Sequence, residues 1–230
     1  MSDWPDGYNF DTDELCQSVF LPFILGEMKK LKAYDALRPA GIKYIFHEHA
    51  ERVARDVEKT CLHMRLSEIV ARNMYWASLP HDIGKRLLLP NVWDHEEKPD
   101  PDGELYRQRR THTDLGADEI VEKEHGDVKH LFKDLMIDIM RNHHERVDGK
   151  GYRGLTAEQL SMPVRLAAIV EAFDGLRIRR PHFEPDRDTS IPGVLKRMRE
   201  EKAGQFDVEL FEAFAEVKMN EFNVLEGPAP

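Results

Sequence analysis

The stretch His81-Asp82-Ile83-Gly84-Lys85 follows a run of helix-forming residues and contains a glycine where the helix is expected to end. It presents an imidazole, a carboxylate and an ammonium group together. Such a trio suits phosphate chemistry, because the carboxylate can bridge two metal ions while Lys85 offsets charge on phosphoryl oxygens. A His-Asp pair alone is a weak indication, since chance produces many, so its meaning depends on the residues around it.

The segments on both sides of this stretch have the apolar spacing of α-helices, at residues 44–62, 66–80, 104–124, 129–143, 163–178, 192–203 and 207–222. Segments rich in Pro, Asp and Gly interrupt them at 87–103 and 148–154. We find no convincing β alternation. The sequence therefore predicts an all-α helical bundle at 44–222, preceded by a short N-terminal helical extension at 1–43 and followed by a flexible tail at 223–230.

The N-terminal extension has helical spacing from Asp11 to about Lys32. Pro22 interrupts this spacing and marks where a helix must start, bend or end. The extension could cap the bundle or make the contact of a homodimer. We favour the capping role.

The overall composition is that of a soluble globular protein, with 41% apolar and 33% charged residues. A net charge of −10 disfavours a nucleic-acid polymer as partner, because polyanions need a positive field. No apolar stretch approaches the roughly 20 residues that a membrane-spanning helix needs. The start lacks an export signal, and Cys16 and Cys61 form no metal-type or redox-type pair. These features predict a cytoplasmic protein without a membrane partner.

The consecutive pair His143-His144 would point its side chains about 100° apart on a helix. The two rings could then reach two different metals, or a metal and a phosphate. The alternative is a half-exposed pair at a helix end. His112 lies four residues before Gly116, and this small residue lets another backbone or a ligand come close.

Two carboxylates, Glu171 and Asp174, lie on one face of an otherwise apolar helix. Carboxylates almost never enter a core unpaired, so cations are expected to meet them. Imidazole and carboxylate ligands without a usable thiolate favour Fe or Mn over Zn or Ni. The pattern therefore predicts a site for divalent metals.

Together these motifs resemble the signature of the HD-GYP family within the HD-domain metal-dependent phosphohydrolase superfamily. The resemblance covers about residues 44–222. Several motifs that agree in order and spacing are more specific than any one of them. The matching positions are His49, His81-Asp82-Ile83-Gly84-Lys85, His112-x-x-x-Gly116, His143-His144-Glu145-Arg146-x-Asp148-Gly149-x-Gly151-Tyr152, Val170-Glu171-Ala172-Phe173-Asp174-Gly175-Leu176, Arg180-Pro181 and Gly204-Gln205-Phe206-Asp207.

The resemblance implies an HD-domain bundle with a two- or three-metal centre that hydrolyses cyclic di-GMP to pGpG, GMP or both. It implies Asp82 and Lys85 as catalytic residues, with Lys85 orienting the phosphate. Diguanylate cyclases of the GGDEF type would be partners, besides a small nucleotide or phosphoester substrate. The implied metal ligands are His49, His81, Asp82, His112, His143, His144 and Glu171. The implied substrate-binding or supporting residues are Asp174, Arg146, Asp148, Gly151, Tyr152 and Arg180.

The sequence departs from the family pattern at several positions. Glu171 replaces a metal-binding Asp, which keeps the donor and lengthens its reach. Ile45 stands where members with three metals carry Glu, and neighbouring Glu48 would face another direction, so we predict two metals. Arg153 replaces the terminal Pro of the family name, and His182-Phe183 lacks the basic residue that usually follows Arg-Pro-Tyr.

These departures leave two alternatives open. One is an HD-type hydrolase of another nucleotide or phosphate ester. The other is a degenerate member that binds a nucleotide or a signalling partner without turnover. The remaining histidines are predicted to have surface or capping roles, and they are His47, His63, His95, His125, His130 and His182.

Overall fold

The computed structural model describes residues 4–39, 41, 44–94, 100–179 and 186–226. Regular structure among these residues is helical, and strand pairing is limited to one isolated bridge between Asp148 and Thr156. The predicted all-α fold is confirmed. None of the helices in this part of the chain has the length and apolar character needed to cross a bilayer.

Over the described ranges the fold consists of α-helices joined by turns, with two π-helical segments at Cys16–Phe20 and Leu115–Glu122. Short 3-10 turns occupy Ile83–Leu87, Pro90–Val92 and Ala157–Gln159. The α-helices are α1 (Leu21–Asp35), α2 (Phe46–His63), α3 (Glu68–Ser78), α4 (Glu104–Arg110), α5 (His112–Asp114), α6 (Lys123–His125), α7 (Leu131–Asn142), α8 (Met162–Arg177), α9 (Ile191–Glu200) and α10 (Val208–Glu226).

Local sequence explains where several helices begin. Ser67, Ser161 and Ser190 precede α3, α8 and α9, and each side chain accepts a hydrogen bond from a backbone N–H of the first turn. Proline occupies the first turn of α1, α8 and α9, where no intrahelical N–H bond is lost. Pro22 therefore lies at the start of α1, which follows the first π-helical segment without a break.

Two predicted boundaries differ from the structure. The helix predicted at 104–124 is divided into α4, α5, the π-helical segment Leu115–Glu122 and α6. Within this π-helical segment the backbone of Gly116 packs against Gly84. Apolar spacing does not reveal such a tertiary contact. The helix predicted at 207–222 ends four residues later, because α10 continues to Glu226. Residues 227–230 lie outside the described residues.

One apolar core joins the N-terminal extension to the bundle. Phe10 and Phe20 are fully buried, and their rings lie 4.7 and 5.2 Å from the ring of Phe132 in α7. A second, smaller cluster lies between α1 and the start of α2. The extension therefore shares the core of the bundle, whereas the domain bounds 1–43 and 44–222 stay a prediction.

Candidate metal centre

The fold brings the seven predicted metal ligands together from five elements. All of them are buried except His144, which is half-buried. They come from α2 (His49), the turn after α3 (His81 and Asp82), α5 (His112), the C-terminal end of α7 (His143 and His144) and α8 (Glu171).

A first group consists of His49, His81, Asp82 and Glu171, whose candidate ligand atoms all lie within 4.8 Å of one another. Glu171 Oε2 lies 2.5 Å from His49 Nε2 and 3.3 Å from His81 Nε2. Asp82 Oδ2 lies 3.5 Å from each of the same two nitrogens. These donors face one another, as the ligands of one cation do.

A second group consists of His112, His143 and His144, within the same limit of 4.8 Å. His112 Nε2 and His143 Nε2 lie 3.3 Å apart. They lie 3.3 and 3.6 Å from Asp82 Oδ1. Asp82 thus turns one carboxylate oxygen towards each group, which is the arrangement of a bridging ligand.

Hydrogen bonds on the outer side of four rings determine which nitrogen faces inward. Three rings place Nδ1 beside a backbone carbonyl oxygen, which can only accept, so Nδ1 carries the proton and Nε2 presents its lone pair to the centre. In the fourth, His49 Nδ1 lies 2.6 Å from Asp174 Oδ2. The carbonyl pairs are His81 with Ser78 at 2.8 Å, His112 with Arg109 at 2.5 Å and His143 with Ile139 at 3.1 Å.

Four buried atoms of the first group have no hydrogen-bond partner within the described part of the chain. They are His49 Nε2, His81 Nε2, Asp82 Oδ1 and Glu171 Oε2. His49 Nε2 and Glu171 Oε2 lie 2.5 Å apart, as two groups facing a shared ligand position do. A buried unpaired polar atom costs about 1–3 kcal/mol, so four together fit a site at which a cation binds. The nitrogen and oxygen donors fit a divalent metal ion.

Burial and charge act in opposite directions on the pKa values of this centre. Burial lowers the pKa of His49, but two neighbouring carboxylates outweigh it and raise that pKa to about 9. Burial raises the pKa of Asp82, but Lys85 and the histidines hold it well below its usual range. Burial and the adjacent His143 lower the pKa of His144 far below its usual range. An ionised Asp82 and a neutral His144 are the forms that bind metal.

Lys85 is buried and contacts Asp82 directly. Its ammonium donates to Asp82 Oδ2 and lies 5.2, 4.8 and 5.6 Å from the ring centres of Tyr44, Phe46 and Trp93. Cation–π attraction stabilises the ammonium in this cage. The structure therefore shows Lys85 holding Asp82, while its phosphate-orienting role stays a prediction.

Two of the predicted supporting residues contact the metal groups. Asp174 holds His49 and accepts hydrogen bonds of 2.7 and 2.9 Å from Arg52. Tyr152 packs on His144, with ring centroids 4.6 Å apart. Both residues orient imidazole rings from outside the centre.

The other supporting residues shape the loop after α7. Gly151 lies so close to Glu145 that an added Cβ would be 2.5 Å from the Glu145 Cα. The Glu145 carboxylate is buried and accepts backbone N–H bonds of 2.6 and 2.9 Å from the same loop. Arg146 donates to Asp148 at 2.9 Å, and Asp148 is exposed. Arg180 lies outside the described residues.

Sequence reasoning missed Arg52, Glu145 and Trp93. Arg52 lies three residues after His49 and so on the same helix face, which was a usable signal. Glu145 was part of a matched motif but had no assigned role. Trp93 lies in a segment without periodicity, and only the fold brings its ring to 5.7 Å from that of His112.

The remaining histidines have structural surroundings in the described part of the chain. His130 Nδ1 accepts the Phe132 N–H and caps α7, so its Nε2 carries a proton and lies 3.3 Å from Asp13. That proton disfavours a metal at the neighbouring trio of Asp13, Cys16 and His130. His47 pairs with Asp35, His63 pairs with Glu216, His125 packs on Phe23, and His95 and His182 lie outside the described residues.

Fold and site together define an all-helical protein whose buried histidines and carboxylates are arranged for divalent metals. Residues 42–210 match the family described as HD domain. The chain belongs to the HD-domain family.

Two curated relatives and one solved structure agree with this assignment. The cyclic di-GMP phosphodiesterase PA4108 of Pseudomonas aeruginosa is 30% identical over 205 residues, which are 88% of this chain and 44% of that protein. The 3'3'-cGAMP-specific phosphodiesterase 1 of Vibrio cholerae is 28% identical over 168 residues, 72% of this chain and 36% of that protein. The chain thus spans less than half the length of either relative.

The structure of Bd1817, an HDG"Y"P protein from Bdellovibrio bacteriovorus, superposes with a TM-score of 0.61 at 16% identity. The match covers 91% of this chain and 64% of that chain. At this identity the likeness shows a shared fold. The predicted resemblance to the HD-GYP members of the HD-domain family is confirmed.

Proposed function

We propose that this chain is a metal-dependent phosphodiesterase that hydrolyses cyclic di-GMP. The observation that carries the proposal is the position of Asp82, which turns one oxygen towards each group of inward-facing imidazoles. Two divalent ions bound there would neutralise phosphate charge and lower the pKa of the attacking water. The names of the two curated relatives support the choice of a cyclic dinucleotide.

The residues would divide between two ions. His49, His81 and Glu171 would hold one ion, the second group would hold the other, and Asp82 would contact both. Lys85 keeps Asp82 ionised and oriented. We infer Fe or Mn, because both groups offer nitrogen and oxygen donors without a thiolate.

The proposed reaction breaks one P–O ester bond of the ring. Water adds its hydroxyl to phosphorus and a proton to the leaving ribose oxygen, which gives linear pGpG. A second hydrolysis would give GMP. The buried Asp174 and the half-buried Arg52 take no part in these bond changes and hold the His49 ring in position.

The test combines metal analysis with hydrolysis. The chain is loaded with Mn²⁺ or, without oxygen, Fe²⁺, and incubated with cyclic di-GMP, 3'3'-cGAMP and bis-p-nitrophenyl phosphate. We expect two ions per chain and cleavage of cyclic di-GMP, with cleavage lost in His81→Ala and Asp82→Ala. Glu51→Ala on the exposed face of α2 is the matched control and should keep full activity.

Each other outcome selects a different function. Cleavage of 3'3'-cGAMP or of the simple ester without cleavage of cyclic di-GMP would indicate an HD-type hydrolase of another substrate. Two bound ions per chain without hydrolysis of any of the three substrates would indicate a binding module. A chain that binds no metal would refute the proposal.

Binding to diguanylate cyclases of the GGDEF type, a homodimer and a cytoplasmic location stay predictions. We propose the first because a phosphodiesterase and a cyclase act on the same messenger. Size-exclusion chromatography with light scattering tests the homodimer, and the same measurement with a purified GGDEF protein added tests cyclase binding.

A further inference from the structure

Asp35, at the C-terminal end of α1, caps the N-terminus of α2. Its Oδ1 accepts the Phe46 N–H at 3.0 Å and its Oδ2 accepts the His47 N–H at 2.9 Å. The residue before α2, Ile45, makes no side-chain cap. Asp35 therefore satisfies two of the N–H groups that the start of a helix leaves open.

The Asp35 carboxylate is itself held in position. Arg38 Nη1 donates to Asp35 Oδ1 at 2.9 Å and to the Tyr44 carbonyl at 2.7 Å, and its other nitrogens donate to Asp94. The guanidinium lies 3.8 Å from the centre of the Phe46 ring. Asp35 and Arg38 are both buried, so these bonds have little competition from water.

The first turn of α2 leads directly into the first metal group. The His49 N–H donates to the Ile45 carbonyl at 2.9 Å, so His49 follows the capped residues within one turn. The Phe46 ring lies 4.8 Å from the Lys85 ammonium. The direction of α2 thus sets both His49 and one wall of the Lys85 cage. The second group comes from α5 and α7 and contains no residue of α2.

Helix α1 also holds the segment that carries His81 and Asp82. Glu27 is fully buried and accepts hydrogen bonds of 2.9 and 2.6 Å from Arg86. The Tyr34 hydroxyl donates to the Leu88 carbonyl at 2.7 Å. One helix of the extension therefore contacts both chain segments that meet in the first group.

We propose that Asp35 is a positioning residue for the first metal group, acting through the start of α2. The inference rests on the two-ion centre of the proposed function. The second group contains no residue of α2 and meets the first group only through Asp82. Asp35 should therefore affect the ion of the first group much more than the ion of the second.

The test measures Mn²⁺ affinity at each site by titration calorimetry and by metal content at limiting Mn²⁺. We expect Asp35→Asn to bind one ion about tenfold more weakly, the usual effect of losing a supporting contact, and the other with a clearly smaller change. His81→Ala and His144→Ala identify the two sites. The matched control is Asp56→Asn, which removes a buried carboxylate of α2 that pairs with Lys218 of α10 at 2.9 Å. This control should keep both affinities even where it lowers stability.

Unchanged affinity at both sites in Asp35→Asn, or equal loss at both, would overturn the inference. If Asp35→Asn does not fold, Asp35→Glu keeps both acceptor oxygens on a longer side chain and should weaken the same site by less than about tenfold. Amide exchange in the metal-free wild type is a further test, since the Phe46 and His47 amides should be protected. Rapid exchange there would also overturn the inference. A wild type that binds no metal would instead refute the two-ion centre.

Discussion

Gly84 lies in the turn that carries His81 and Asp82, against the backbone that follows His112. A Cβ at Gly84 would collide with the His112 carbonyl oxygen and lie 2.5 Å from the Gly116 nitrogen. Both neighbours are backbone atoms, which cannot rotate away as a side chain can. The absence of a side chain at Gly84 therefore allows Asp82 to approach the second group.

We expect Gly84→Ala to lower the free energy of unfolding by about 1–3 kcal/mol, the usual cost of overpacking, and to weaken Mn²⁺ binding. Urea unfolding of the metal-free chain and Mn²⁺ titration measure the two effects. Gly26→Ala in α1 is the control, because a Cβ there meets nothing within 4 Å. It should raise stability by about 0.5–1 kcal/mol, since Ala suits a helix better than Gly. Equal effects of the two substitutions would contradict the close approach.

The residue types of the site could be predicted from the sequence, but their hydrogen bonds could not. His-Asp and His-His pairs, a Glu and a Lys at matched spacing identified the side chains that converge. Three of the four outward Nδ1 bonds depend on backbone carbonyl groups, which every residue carries. Sequence therefore gives no sign of which carbonyl a ring will meet.

Helix α8 carries Glu171 and Asp174, and its position depends on Ser161 at its start. The Ser161 hydroxyl accepts the Val164 N–H at 3.4 Å and donates to Asp138 of α7 at 2.7 Å. One side chain thus caps α8 and connects it to α7, the helix that His143 follows directly.

Ser161→Ala should destabilise the chain by about 0.5–2 kcal/mol, the range for loss of an N-cap. Ser18→Ala is the control, because the exposed Ser18 hydroxyl bonds to the Glu14 carbonyl within the same helical segment. Its effect should stay within about 0.5 kcal/mol. Thermal and urea unfolding measure the stability of both variants. A Ser161→Ala variant as stable as wild type would show that the cap does not contribute to the free energy of unfolding.

Most helices could be predicted to within a few residues, since serine caps and first-turn prolines are local signals. The π-helical segment Leu115–Glu122 could not be predicted. It lies where Gly116 packs on Gly84. A contact between residues far apart in the chain does not change the periodicity of the sequence. The division of the predicted helix at 104–124 has the same cause.

At the scale of the molecule, the two cysteines report whether the extension and the bundle share one core. Cys16 belongs to the extension and Cys61 to α2, and both are fully buried. Burial raises the pKa of each thiol to about 12. Only the thiolate reacts readily, so both groups should be inert in the folded chain.

We expect neither thiol to react with DTNB at pH 8 or 9 in the folded chain, and both to react on unfolding in urea. Cys16→Ala and Cys61→Ala assign the two signals. A folded chain in which Cys16 reacts quickly while Cys61 stays protected would show that the extension detaches from the bundle.

The sequence by itself determined the helical class, the order of the motifs and the side chains able to bind metal, because these depend on periodicity and residue chemistry. Only the tertiary structure decided how the ligands divide into two groups, which ring nitrogen faces inward, and that Asp35 caps α2. The physical reason is distance along the chain, since Arg52 and Asp174 meet across 122 positions. Such a long-range contact forms only when the helices pack, so local sequence patterns do not reveal it.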